Sequence, residues 1–155
     1  MEKACFAAGC FWGVELAFSK VKGVLETKAG YTGGWSEDPS YEDVCSGGTE
    51  HAEAVLVTYD PDIVDFSGLL KTFWAIHNPT TLNRQGPDVG TQYRSAIFYF
   101  DAGQKDLAEA SKKALGESGD FEDLVVTEIT PAGPFYPAEE YHQKYLEKRG
   151  AKSCR

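Results

Sequence analysis

Cys10 stands in the stretch Gly9-Cys10-Phe11-Trp12-Gly13, a sulfur beside two large aromatics and fenced by glycines. Ala7-Ala8 lead into it, and Val14, Ala17, Phe18 and Val21 follow at spacings of three and four. That periodicity predicts a helix over 10–21, with Cys10 at or next to its N-terminus. Unpaired backbone N–H groups and the positive dipole end there favour a thiolate over a thiol. Gly9 and Gly13 leave room for another molecule's atoms, and Phe11 and Trp12 offer an apolar wall beside the sulfur. The combination suits a small apolar group that carries an electrophilic atom. The plain alternative is a small core residue with hydrophobic filling around it, and the local sequence leaves both open.

A second group of chemically useful side chains lies in "SYEDVCSGGTEHAEAVLVTYD" and "GPDVGTQYRS". On a strand over 51–60, His51, Glu53, Val55, Val57 and Tyr59 share one face. If that face turns inward, desolvation raises the pKa of Glu53 and makes it a proton donor near neutrality. An exposed strand end fits the spacing equally well. His51 precedes the apolar run, which points to solvent or a loop hydrogen bond rather than catalysis. Tyr41, Asp88, Tyr93 and Arg94 fall in loops or at element ends. A phenol there can donate to an oxygen while its ring meets a methyl group. Taken singly, the tyrosines read as packing residues and Asp88 as a turn residue.

The elements that must position these groups follow from pattern and punctuation. Strands are expected over 3–8, 24–31, 51–60, 93–100 and 123–130. Helices are expected over 10–21, 67–77, 103–117 and 137–148, with a short one over 41–46 that Ser40 can cap. Asn78-Pro79 ends the helix over 67–77, and 80–92 reads as a long surface loop of the kind that serves a site. Pro137 is expected near the first turn of the last helix. Alternating strands and helices, with no Gly-x-Gly-x-x-Gly after a strand, imply one sheet of about five strands with helices packed on it.

The totals bound the function. The chain has 155 residues, 42% of them hydrophobic, enough for one core. Net charge is −9 and the 15 basic residues are scattered, so no phosphate-binding surface and no nucleic-acid partner is expected. No run approaches the ~18 apolar residues of a membrane span, and no secretory signal is visible. A cytoplasmic protein without membrane attachment is the expectation, and a monomer. The four cysteines, at 5, 10, 45 and 154, form no Cys-x-x-Cys pair and match no common zinc set. Cys5, inside a strand, and Cys45, late in a short helix, read as inert core thiols.

Together, "GCFWG", "GYTGG", "YEDVCSGGTEHAEAV", "GPDVGTQYRS" and "PAEEYHQKYL" resemble the methionine sulfoxide reductase A family, in its order and at close to its spacings. The resemblance covers about residues 4 to 147. It implies an α+β fold, a central mixed sheet flanked by helices with a ferredoxin-like βαββ core. It implies a single domain over 1–155, with 149–155 a mobile C-terminal tail. It also implies reduction of methionine-S-sulfoxide, free or in proteins, in the repair of oxidised proteins. Enzymes of this kind restore oxidised methionine.

Carried over by position, Cys10 is the nucleophile and Glu53 the acid that protonates the departing oxygen. Tyr41 and Tyr93 hydrogen-bond to that oxygen, Phe11 and Trp12 receive the sulfur's methyl group, and Asp88 orders the site. Attack leaves a sulfenic acid, which a second thiol must convert to a disulfide for a dithiol reductant to open. In the family that reductant is thioredoxin, and no metal or organic cofactor takes part. Cys154, in the tail "KRGAKSCR", is the expected resolving thiol. From a helix end near Lys148, six extended residues reach roughly 20 Å. Many family members carry a longer glycine-rich tail, often with a second cysteine, which this chain lacks.

Two other classes share parts of the pattern. A thiol peroxidase also forms a sulfenic acid, but uses a compact peroxide pocket with a nearby Arg instead of an aromatic wall. An acidic interaction module would present Phe11-Trp12 as an exposed patch.

Overall fold

The computed structural model describes residues 1–150. In chain order the elements are β1 (Glu2–Ala8), α1 (Phe11–Ser19), β2 (Val24–Thr32), α2 (Tyr41–Cys45), β3 (Ala52–Tyr59) and α3 (Phe66–Ala75). There follow β4 (Arg84–Gln85), β5 (Asp88–Val89), β6 (Ser95–Tyr99), α4 (Ala102–Glu117), β7 (Glu128–Pro131), β8 (Phe135–Pro137) and α5 (Tyr145–Lys148). Short 3-10 turns occupy Thr91–Tyr93 and Glu140–His142.

Six strands form one mixed sheet in the order β7-β6-β1-β3-β2-β8. β1 and β2 both run antiparallel to β3, which lies between them, so β1-α1-β2-β3 is the expected βαββ core. β6 is antiparallel to β1 and β7 is parallel to β6, the latter pair joined through α4. β4 and β5 make a separate two-stranded ribbon.

Alternation along the strands divides the interior in two. Phe6 of β1 and Val55, Val57 and Tyr59 of β3 face the helices, with Phe18 of α1 and Phe66, Leu69, Leu70 and Phe73 of α3. Phe6 is the hub, its ring 4.9 Å from that of Phe18 and 5.3 Å from that of Phe73. The opposite face is lined by small residues, Cys5, Ala7, Ala52, Ala54 and Ala96, with Phe98. Cys5 is buried as expected, and burial pushes its thiol pKa well up.

Four expectations are corrected. The strand expected over 123–130 is confined to Glu128–Pro131, because β6 offers partners only from Ala96 to Tyr99. Upstream, Val126 bonds instead to the carbonyl of Pro79, and Leu124 is left exposed. Pro137 does not open a helix. It closes β8, pairing with Gly30 of β2, where its missing N–H falls at a sheet edge. The last helix is broken into the Glu140–His142 turn and α5 by Lys144, whose φ is +52°. Tertiary bonds replace the helical ladder there: Lys144 N donates to Oε1 of buried Glu15 at 2.6 Å, and the Gln143 amide bonds to Ala29. The stretch 80–92 is not an open loop but carries the β4-β5 ribbon and the turn into Tyr93.

The stop after Lys148 is as expected, with Gly150 at φ +70°. Cys154 and the tail beyond Gly150 lie outside the described residues. Among the described residues no helix is long and apolar enough to cross a membrane.

Candidate active site

Cys10 is the N-cap residue of α1, half-buried, with φ −55° and ψ 121°. Gly9 makes the turn into it at φ +95°, a conformation that disfavours a side chain. A Cβ on Gly9 would also come within 2.8 Å of Cγ of Gln85, so the ribbon closes directly over this turn.

The first free N–H of α1 meets a carboxyl. Phe11 N donates to Oε1 of Glu53 at 3.2 Å. Glu53 is 1% exposed, and its Oε2 has no partner among the described residues. Burial pushes its pKa up to about 8; the Phe11 N–H opposes that shift and the charge of Asp88 adds to it. At neutral pH this carboxyl therefore retains its proton and can give it away.

Two phenols on different elements lie within reach of the carboxyl's charge. Tyr93 closes the turn after β5; burial first, then the charges of Glu53, Cys45, Asp88 and Cys10, push its pKa up to about 12. Tyr41 opens α2, the helix capped by Ser40 and Asp43 in a reciprocal box. Burial, then a hydrogen bond with Cys45 and the charge of Glu53, push its pKa well up. Both phenols stay protonated and remain donors.

The apolar side is an aromatic stack. Phe11 is 1% exposed, with its ring 5.7 Å from that of Tyr31, so the accessible wall falls to half-buried Trp12. Trp12 stacks on Tyr145 at 3.8 Å and donates its indole N–H to Nδ1 of His142 at 3.0 Å. Since Nδ1 accepts, His142 is the neutral tautomer with its proton on Nε2. The same imidazole lies 4.5 Å from the Tyr41 ring.

Cys10, Phe11, Trp12, Glu53, Tyr41, Tyr93 and Asp88 are thus brought together at the N-terminus of α1. Arg94 is not part of the group: it bonds to the carbonyls of Glu50 and Thr91 and pairs with Glu128 at 3.1 Å. His51 is buried, and its ring ties the loop of Gly34 and Ser36 together. Cys45 overturns its expectation as a core thiol. It is exposed at the end of α2, because five helical residues turn it outward beside Tyr41. Sequence reading missed Glu139, His142 and Tyr145. The only signal was their crowding in "PAEEYHQKYL", where a regular helix was expected.

Comparison with known proteins gives the family and the fold. The family description "Peptide methionine sulfoxide reductase" matches residues 2–155. The peptide methionine sulfoxide reductase MsrA of Methanothermobacter thermautotrophicus is 63% identical over 153 residues, covering 99% of this chain and 90% of that protein. A peptide methionine sulfoxide reductase of Solanum lycopersicum is 55% identical over 156 residues, covering 100% of this chain and 79% of that protein. Among solved structures, reduced Mxr1 of Saccharomyces cerevisiae superposes with a TM-score of 0.87 at 37% identity, over 96% of this chain and 86% of that one. Methionine sulfoxide reductase A of Corynebacterium diphtheriae gives 0.84 at 37% identity, over 96% and 75%. With a full-length family match, close relatives and a shared fold, the chain belongs to the peptide methionine sulfoxide reductase A family.

Proposed function

We propose that Cys10 attacks the sulfur of a methionine sulfoxide while Glu53 delivers its proton to the departing oxygen. The thiol-dependent reduction of methionine sulfoxide follows from the family; the assignment of roles to residues is the proposal. The carrying observation is the Phe11 N–H to Glu53 contact, which sets a buried carboxyl with an unpartnered Oε2 at the helix end that holds the thiol.

Attack forms a bond from the Cys10 sulfur to the sulfoxide sulfur. Glu53 protonates the oxygen, with the Tyr41 and Tyr93 hydroxyls donating to it, and Asp88 helps keep Glu53 protonated. Trp12, with Phe11 behind it, receives the methyl group on the sulfur. The protonated oxygen then transfers to the Cys10 sulfur as the S–O bond and the new bond between the two sulfurs both break, so the sulfoxide leaves as a thioether and the thiol is oxidised to a sulfenic acid. Cys154 then condenses with it, releasing water and forming a disulfide, and a dithiol of the thioredoxin kind opens that bond by exchange. Thiols alone carry the cycle, in a cytoplasmic monomer with one domain over 1–155. The S epimer is the substrate by family resemblance.

The test is incubation with separated R and S sulfoxides plus dithiothreitol, following methionine. Consumption of the S form alone is expected. Methionine from neither form overturns the reading.

A further inference from the structure

The Tyr41 hydroxyl bonds to Cys45 of its own helix, but the helix offers no partner for the Tyr41 backbone N–H. α2 is five residues long, too short to hold itself by its backbone bonds. Ser40 and Asp43 satisfy each other's backbone N–H groups, and Val44 N bonds back to the carbonyl of Ser40. The N–H of Tyr41, one of the donors a helix start leaves unpaired, finds its acceptor in Glu139, 98 residues on.

The Glu139 carboxylate has one oxygen on each side of this junction. Oε2 accepts from Tyr41 N at 3.0 Å. Oε1 accepts from the hydroxyl of Tyr31 at 2.9 Å, and Tyr31 is a fully buried residue of β2. The carboxylate is therefore anchored to the central sheet and holds α2 from there. Three residues later His142 lays its ring against that of Tyr41 at 4.5 Å. Backbone and ring face are fixed from the same segment, which defines where the Tyr41 hydroxyl points.

We infer that Glu139 is a positioning residue that holds the Tyr41 phenol where it donates to the sulfoxide oxygen. The inference rests on the reading of Tyr41 given above. Burial pushes the Glu139 pKa up, but the Tyr41 N–H, its own backbone N–H and the Tyr31 hydroxyl outweigh this and leave it below the usual range. It is an anion at neutral pH, accepting at both oxygens. A glutamine keeps one acceptor oxygen and sets an N–H₂ against the other donor. An alanine keeps neither.

The test is a kinetic cycle on the full chain with a methyl sulfoxide substrate and dithiothreitol, using Tyr41→Phe, Glu139→Ala and the double variant. Glu139→Ala should lower kcat by about tenfold to a hundredfold, as misplaced groups do, with KM changed by less than about twofold. Glu139→Gln should recover part of the loss. In the Tyr41→Phe background, Glu139→Ala should lower kcat no further, because the group it positions is gone. An equal further loss in that background overturns the inference and leaves a purely structural role. Wild-type kcat in Glu139→Ala, with Tyr41→Phe slow, overturns it while leaving the Tyr41 reading intact. Wild-type kcat in Tyr41→Phe overturns both. If Glu139→Ala does not fold, Glu139→Gln completes the same cycle with the same two outcomes.

Discussion

Phe11 N–H donates to Oε1 of Glu53 at 3.2 Å, joining the first turn of α1 to β3 across 42 residues of chain. The bond turns a carboxyl that would be costly to bury as an anion into part of the helix cap. It also leaves the other oxygen free to carry the proton.

Glu53→Gln keeps an acceptor for Phe11 but has no proton to give. The chemical step should slow by about 10²-fold to 10⁴-fold, the usual range for a general acid, with a smaller change in KM. In the wild type the rate of that step should fall as pH rises through about 8. The sign for stability is the same. A folded pKa above the unfolded ~4.3 contributes stability that is full below that value and is lost as pH rises through the folded pKa. Glu53→Gln should flatten this loss in thermal unfolding between pH 5 and 9. Unchanged single-turnover rates at pH 7 would remove Glu53 from the proton-donor role.

Cys10→Ser should abolish methionine formation from sulfoxide. Cys154→Ser should still form about one methionine per enzyme in a single turnover, then stall with thioredoxin as reductant. Mass spectrometry of the stalled enzyme should show a sulfenic acid that dimedone traps. Sustained thioredoxin-driven turnover in Cys154→Ser would move the resolving role to another thiol.

His142 is held neutral by the indole N–H of Trp12 on Nδ1. Burial lowers its pKa, opposed by the charge of Glu139. A folded pKa below the unfolded ~6.5 contributes stability that is present above pH 6.5 and is lost as pH falls through the folded value. His142→Phe should lack that loss. It should also raise KM several-fold, since the Trp12 N–H is left unpaired and the wall is free to turn. Thermal unfolding between pH 5 and 7, with KM at pH 7.5, checks both. An identical pH dependence in the variant would contradict the neutral tautomer.

Gly9→Ala places a methyl 2.8 Å from Gln85, whose amide oxygen is held by Asn78 N at 2.9 Å and cannot swing freely. With φ at +95° the backbone is strained as well. A destabilisation of roughly 1–3 kcal/mol is expected, a fall in Tm of about 2–12 °C for a chain of this length. Calorimetry checks it. Activity should fall too, because the displaced turn carries Cys10. A wild-type Tm would show that the ribbon moves aside without cost.

Which parts were legible depended on whether the signal was local. The helix after Cys10 and the strand carrying Glu53 are written as periodicities, and the Ser40 cap as a four-residue motif. The same local logic failed over 137–148. There the chain follows Glu15, Ala29, Tyr31 and Tyr41, and the bonds it makes span 98 to 129 residues. It failed again at Cys45, where five helical residues gave no stripe to show which side faces solvent.

By itself the amino-acid sequence determined the thiol at a helix start, its aromatic neighbours, the strand periodicity and a family resemblance. All of these are properties of short stretches of chain. The tertiary structure decided that Glu53 faces inward and meets Phe11. It also decided that Trp12 is pinned by His142 and that Glu139 bridges Tyr31 and Tyr41. Burial and hydrogen-bond pairing are relations between distant residues, and a carboxyl becomes a proton donor only when its neighbours have removed the water around it.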